Sequence, residues 1–481
     1  MRAAPATALA LALAMAPAAP VAAATLSPQP CPFAEESRSH RAVCSRFERE
    51  DGGTRIAFDV AVLTPTTRRS TGHVVYIPGG PGEAPVAEDG VFDDLLSPFS
   101  DRTVVLFNPR GTLNAEPRMT CDFGDLVWEE DFGGEEAQEI LRGCLDRLHR
   151  DGPDPALFTS LKVAEDVDAL VRALGIVRGG IYGISYGTEA GLHLLAQAPR
   201  WLGFAILDSV SVPGVSGMLD ELAARDRFLA ELDEACFRGK QCSALARDGA
   251  ASLAEWVVQF DDAPLPLYLE KGAAWRLDGT EMLDYLSQLG AYPDGLDLAV
   301  ALVELLQTGR LRAMRWISGE MTSNTEFAMT SLPLLLQAYS DTYEPDHVAL
   351  LDWPTRYARD VEGAALQLES MRIWHGSQPR EADFLQSTVT PAPAPVLVLS
   401  GGIDPFTPSE WAQALHARFS GLEHYIFPLL GHAVSVSPTL PVSDDDMTVQ
   451  MRCARGVLHA FLNPTLRPDR ACRTYRSENG Q

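Results

Sequence analysis

The sequence predicts an α/β protein, a mostly parallel sheet with helices on both faces, interrupted once by a helical insertion. Three observations carry this. Short β-branched runs recur, each closing on glycine or a turn; helix-spaced apolar segments lie between them; and the rhythm stops after Pro213 and returns at about residue 391. Apolar strands alternating with helices imply a parallel sheet covered on both faces.

The elements follow in order. Residues 1–24 read as a cleaved export signal, with Arg2, a small apolar run and the small-x-small end Ala22-Ala23-Ala24. The run is too short and alanine-rich to span a bilayer, and no later stretch reaches the roughly 20 apolar residues a spanning helix needs. A mature protein without a membrane anchor is therefore expected, periplasmic or extracellular. Cys31 also lacks the apolar residue that a lipoprotein signal carries just upstream.

Strands are expected at Thr54 to Leu63, at HVVYIPGG, TVVLFNPRG, GGIYGISYG and FAILDSV, and later at PAPVLVLSGGID and HYIFPLLGH. In SLKVAEDVDALVRALGI, Val163, Val167, Leu170 and Leu174 alternate four- and three-residue spacing with Val171 beside them, which is one face of an amphipathic helix. The economical division is a core from 25 to 213, a helical lid from 214 to 390 without a comparable apolar strand, and core again from 391 to 481. No internal repeat is present.

Eight cysteines lie beyond the signal, and an even set in an exported chain points to disulfides rather than metal. Eight cysteines permit 105 pairings, and the close spacings make sequential neighbours the expectation, Cys31 with Cys44, Cys121 with Cys144, Cys236 with Cys242 and Cys453 with Cys472. No CxxC and no His cluster accompanies them, so no metal site is expected. At 481 residues and 46% hydrophobic content the chain can build one large core plus an inserted domain. A formal net charge of −26 repels nucleic acid and anionic membrane alike. That acidity serves solubility, and it would also attract a cationic substrate such as a free peptide N-terminus.

Gly183-Ile184-Ser185-Tyr186-Gly187 follows a strand and precedes the helix-like EAGLHLLAQ. In that context GxSxG is a nucleophile elbow, where small neighbours permit a turn that exposes the serine oxygen at a helix N-terminus. This motif turns the general α/β prediction into an α/β-hydrolase fold. A serine hydroxyl attacks poorly until a base takes its proton, so the fold supplies an acid and a histidine downstream, in that order. Asp404, in SGGIDP after VLVL, and His432, in LGHA after IFPLL, stand at two successive strand ends. Asp208, in AILDSV, is the rival acid. His193, on the helix after the elbow, and His459, on the final helix, lack such a setting. The glycines of Tyr76-Ile77-Pro78-Gly79-Gly80-Pro81-Gly82 leave backbone N–H groups free to face an oxyanion, and the second donor is the Tyr186 amide.

With these residues assembled, the chain resembles the prolyl-iminopeptidase and tripeptidyl-aminopeptidase group of α/β-hydrolases. The likeness rests on GGPG at 79–82, NPRGT at 108–112, GISYGT at 183–188, LDSV at 207–210, GGIDPFTP, GH, and the tail RCARGVLHAFLNPTLRPDRAC, which is similar to the secreted tripeptidyl-aminopeptidase branch and whose cysteines match Cys453 and Cys472. It covers roughly residues 40 to 213 and 391 to 475. It implies Ser185, Asp404 and His432 as the triad and the amides of Gly80 and Tyr186 as the oxyanion hole. The chain departs from the pattern at Pro78, where many relatives carry histidine, and at Asn108, which replaces the aspartate of the more usual DQRG. In the lid, Ser331 and Leu332 stand near a cysteine and an acid of the family, and the partner cysteine near Trp374 is missing.

The expected function is that of a serine exopeptidase working near a free N-terminus, without metal or organic cofactor. A lid carboxylate would hold the substrate ammonium, with Glu320, Glu326, Asp341 and Glu344 as candidates because they fall in the insertion. A carboxylesterase with the same triad is one alternative. A binding protein that has lost catalysis is another, though such proteins usually lack a triad member, and here the set is whole.

Overall fold

The structure, a computed structural model, describes residues 24–33, 39–86, 95–122, 135–214, 218–238, 242, 250–268, 274–338, 384, 390–436 and 446–477. The proposed signal, apart from Ala24, lies outside them. The strands of the main sheet are β1 (Thr25–Gln29), β2 (His40–Asp51), β3 (Thr54–Pro65), β4 (His73–Ile77), β5 (Thr103–Phe107), β6 (Gly179–Ile184) and β7 (Leu202–Asp208). After the insertion come β11 (Val396–Gly401) and β13 (Glu423–Phe427). Their order across the sheet is β1-β2-β3-β5-β4-β6-β7-β11-β13. The pairs from β5 to β13 are parallel, and β1, β2 and β3 add an antiparallel edge that joins β5.

Successive residues of the central strands enter two different cores, which is why these strands read as unbroken apolar runs. On β5, Val104 and Leu106 join one apolar cluster while Val105 and Phe107 join the other. The second cluster takes Val163, Val167 and Leu170 of α2 (Ser160–Ala173) and Leu192, Leu194 and Leu195 of α3 (Gly187–Gln197). The amphipathic face read from the sequence is thus the buried face of α2. The first cluster takes Leu141, Leu145 and Leu148 of α1 (Glu135–Asp151). It continues without a break into the insertion.

Strands β1 and β2 were not legible as apolar runs. β2 carries His-Arg-Ala-Val-Cys-Ser-Arg-Phe-Glu-Arg, and only His40, Cys44 and Phe47 are buried on it. Its charged positions are satisfied by ion pairs, Arg46 with Asp59 at 2.9 Å and Arg49 with Asp166 at 2.6 Å, so a polar sequence still makes a strand.

The insertion contains α4 (Met218–Asp233), α5 (Leu253–Asp262), α6 (Gly279–Gln288), α7 (Gly295–Thr308) and α8 (Arg310–Ala338). It is not purely helical. β8 (Leu265–Tyr268) and β9 (Ala274–Leu277) form a small antiparallel hairpin, whose Leu265, Leu267 and Leu277 are buried. Four-residue strands with a proline at position 266 are too short to give a periodic signal. Beyond the insertion lie the two-residue strands β10 (Thr390–Pro391) and β12 (Phe419–Ser420), which pair with each other, α9 (Ser409–Ala414) and the closing α10 (Asp446–Leu462).

The four sequence-neighbour cysteine pairs are all disulfides. Cys31–Cys44 ties the loop after β1 to β2, and Cys453–Cys472 ties α10 to the short helix near the C-terminus. Among the described residues no group of His, Cys, Asp and Glu is placed to hold a metal, and no helix is long and apolar enough to cross a membrane.

Candidate active site

The site lies at the carboxyl ends of the parallel strands. Ser185 follows β6 directly and has φ of 55°, a left-handed conformation costly for a side-chain-bearing residue. The turn is held by the Ser185 amide, which donates to the Asp208 carbonyl at 3.0 Å, and by the Ser185 carbonyl, which accepts from the Thr188 amide at 2.8 Å. Its tightness accounts for the flanking glycines. A Cβ on Gly183 would stand 2.8 Å from the Gly187 carbonyl oxygen, and one on Gly187 would stand 2.1 Å from that of Ile77. Helix α3 starts at Gly187 and aims its N-terminus at the serine.

Asp404 follows β11 and is buried. Its Oδ1 accepts from the Phe406 and Thr407 amides, both at 2.9 Å, and its Oδ2 accepts from the Thr407 hydroxyl at 2.7 Å and from His432 Nδ1 at 2.8 Å. Burial alone would raise this carboxyl, but the His432 imidazole and the Thr407 donors hold it below its ordinary value. An ionised carboxylate only accepts hydrogen bonds, so Nδ1 carries the proton and Nε2 offers its lone pair. Burial would likewise depress the imidazole; the charge and hydrogen bond of Asp404, with smaller contributions from Asp208 and Glu83, raise it above its ordinary 6.5.

Asp208 does something other than orient the imidazole. Fully buried at the end of β7, it accepts from the Val434 amide at 3.0 Å, from the Ser435 amide at 2.7 Å and, in a short contact, from the Ser435 hydroxyl. The neighbouring Ser209 hydroxyl accepts from the Ala433 amide at 2.8 Å. Residues 208 and 209 therefore clamp the backbone after His432, while the Asp208 carbonyl holds the Ser185 turn. One strand end fastens both the Ser185 turn and the His432 loop. Burial raises the Asp208 carboxyl despite these donors.

The loop expected to face an oxyanion follows β4. A Cβ on Gly79 would come within 3.1 Å of the Ser185 Cβ and 3.3 Å of Glu83 Oε1, so a side chain here would press on both. The Gly79 amide is spent on Glu83 Oε2 at 3.0 Å, which also accepts from the Tyr76 hydroxyl at 3.2 Å. The Gly80 amide meets no acceptor among the described residues, and Gly80 has φ of 102°. Glu83 is a residue that sequence reasoning missed, although it follows the GGPG run directly. Burial raises its carboxyl.

The NPRGT segment supports this loop from behind. Asn108 Oδ1 accepts from the Val86 amide at 2.9 Å, an acceptor role that asparagine fills as aspartate would. Arg110 is buried and grips Asp166 through Nε and one terminal nitrogen, each at 2.6 Å, with Asp51 at 2.9 Å on the other. Between this segment, Gly79, Gly82, Tyr186 and Leu334 of α8 lies a narrow recess.

Of the proposed ammonium-binding residues, Glu320 and Glu326 fall within the span of α8, with their side chains outside the described set. Asp341 and Glu344, and Trp374, also lie outside the described residues. His193 and His459 are on α3 and α10.

Comparison with known proteins agrees with this construction. Residues 72–256 match the family model described as alpha/beta hydrolase fold, and residues 367–444 match that described as TAP-like protein. The fold is that of the α/β-hydrolases, with Ser185, Asp404 and His432 at the strand ends on one rim of the sheet. Over residues 367–444 it is similar to the TAP-like proteins. It is 30% identical over 201 residues to the serine protease Hip1 of Mycobacterium tuberculosis, covering 38% of this chain and 37% of that protein. It is 26% identical over 239 residues to a tripeptidyl aminopeptidase of Streptomyces coelicolor, covering 44% of this chain and 41% of the relative. The matched stretch thus spans well under half the length of either relative.

Proposed function

We propose that this is an exported serine exopeptidase that cleaves amide bonds near a free N-terminus, with Ser185 as nucleophile, His432 as base and Asp404 as orienting acid. The observation that carries the reading is the 2.8 Å bond from His432 Nδ1 to the Asp404 carboxylate, at the same strand-end rim as the Ser185 elbow. The tripeptidyl-aminopeptidase relative and the TAP-like segment support a peptide substrate. Four disulfides support export and fit a signal at residues 1–24. The residues from 214 to 390 serve as the cap over the cleft.

In the reaction, His432 Nε2 takes the Ser185 proton as the oxygen attacks the scissile carbonyl carbon. The negative oxygen of the tetrahedral intermediate is received by the Gly80 and Tyr186 amides. The imidazolium, stabilised by Asp404, then protonates the leaving amine, and the C–N bond breaks. Water, deprotonated by the same nitrogen, releases the acyl group and restores the serine.

The test compares aminoacyl and tripeptidyl fluorogenic amides, with free and acetylated N-termini, against short-chain nitrophenyl esters, beside Ser185→Ala. Loss of turnover on acetylation, and in Ser185→Ala, is the expected result. Activity confined to esters would transfer the chain to the carboxylesterases, and failure of a fluorophosphonate to label Ser185 in folded protein would remove the catalytic reading.

A further inference from the structure

The cap does more than roof the cleft. The short 3-10 turn Leu289–Ala291, between α6 and α7, lies against the two loops that carry the acid and the base. The His432 amide donates to the Gly290 carbonyl at 2.8 Å, and the Gly431 amide to the Pro293 carbonyl at 3.0 Å. The contact leaves no room for side chains. A Cβ on Gly431 would stand 2.5 Å from the Tyr292 oxygen and 2.6 Å from that of Gly290. A Cβ on Gly290 would stand 2.5 Å from the ring of Pro405, the residue after Asp404.

The backbone around His432 is therefore gripped from two sides of different origin. Residues 433–435 are held by Asp208 and Ser209, which belong to the sheet. Residues 431 and 432 are held by the insertion. The segment is itself firm: the Tyr292 amide closes on the Leu289 carbonyl at 3.1 Å, the Gly295 amide on that of Tyr292 at 3.0 Å, and Pro293, Asp294 and Gly295 are buried.

We propose that Gly290 is a positioning residue for His432, and that the cap segment 289–295 sets where the imidazole stands between Asp404 and the nucleophile. Withdrawal of the cap would break both amide bonds to the imidazole loop, so cap placement and proton transfer are one property. The inference rests on the triad reading above. A displacement of about 1 Å at a reacting group can cost on the order of a hundredfold in rate, and Gly290→Ala forces a shift of that order against Pro405.

The experiment is Gly290→Ala in the full chain, with the cap-surface variant Leu311→Ser, at a residue 76% exposed, as control. In Gly290→Ala, kcat on an aminoacyl amide should fall about tenfold to a hundredfold, with KM little changed and the acid limb of the kcat/KM profile displaced. The loss should be smaller on a nitrophenyl ester, whose leaving group needs no proton from His432. Leu311→Ser should match wild type. A folded Gly290→Ala with kcat unchanged on both substrates, or with the loss confined to KM, would overturn the proposal. Hydrogen exchange on the wild-type protein tests it without any variant: peptides spanning 289–295 and 430–434 should lose protection together, and persistent protection of 430–434 after 289–295 has exchanged would overturn it. An active Ser185→Ala would refute the function instead, whatever Gly290→Ala does.

Discussion

Asp404 and Asp208 are both buried carboxylates at strand ends, and the atoms they touch separate their roles. Asp404 receives the imidazole N–H, whereas Asp208 receives backbone amides of the loop beyond it. Asp404→Asn should lower kcat on the order of ten-thousandfold by losing the productive tautomer. Asp208→Asn should retain more activity and lose about 1–3 kcal/mol of stability through amides left without a full acceptor. Kinetics and denaturant unfolding of both variants check this, and the reverse ranking would make Asp208 the orienting acid. Glu83 bears on pH. Turnover requires a neutral His432, and the raised pKa of the imidazole places the acid limb of kcat/KM above 6.5, with activity lost as pH falls through it. Glu83→Gln keeps an oxygen for Gly79 and Tyr76 but removes an anion that favours the imidazolium, so the limb should move to lower pH. A pH profile with the limb unmoved would show that His432 does not feel Glu83.

Among the elements, the elbow is the most constrained. Gly187→Ala would drive a methyl into the Ile77 carbonyl at 2.1 Å, a backbone atom that cannot turn away. We expect this variant to lose fluorophosphonate labelling of Ser185, and full labelling in a folded Gly187→Ala would refute the close approach. The same constraint made the elbow legible, because a turn that admits only glycine leaves a fixed pattern in the chain. Strands β4 to β7, β11 and β13 were legible because both their faces are apolar. β2 was not, since its polar residues find partners on the neighbouring β3 and, far away in sequence, on α2 and the loop at Glu116. The clamp of Asp208 and the wedge of Gly290 were invisible for the same reason: each depends on which loops meet in space.

For the whole molecule, three of the four disulfides close loops of 13 to 23 residues, and a loop of that size contributes about 3 kcal/mol by restricting the unfolded chain. Thermal unfolding with and without dithiothreitol should show a clear loss of stability on reduction. An unchanged midpoint, with thiol titration proving that the bridges had opened, would mean that the large core suffices alone. The bridges also follow the division of the chain, since each joins near neighbours and none links the cap to the sheet.

That last fact gains meaning beside the pairing of β7 with β11, in which Ala205 to Asp208 lie alongside Val396 to Leu399. The chain leaves the sheet and re-enters it at touching points, so the cap is an excursion whose two ends are already fastened to each other by the sheet. A single backbone cut within the cap should therefore yield two polypeptides that migrate apart in denaturant yet travel as one particle in native buffer, with Ser185 on one fragment and His432 on the other.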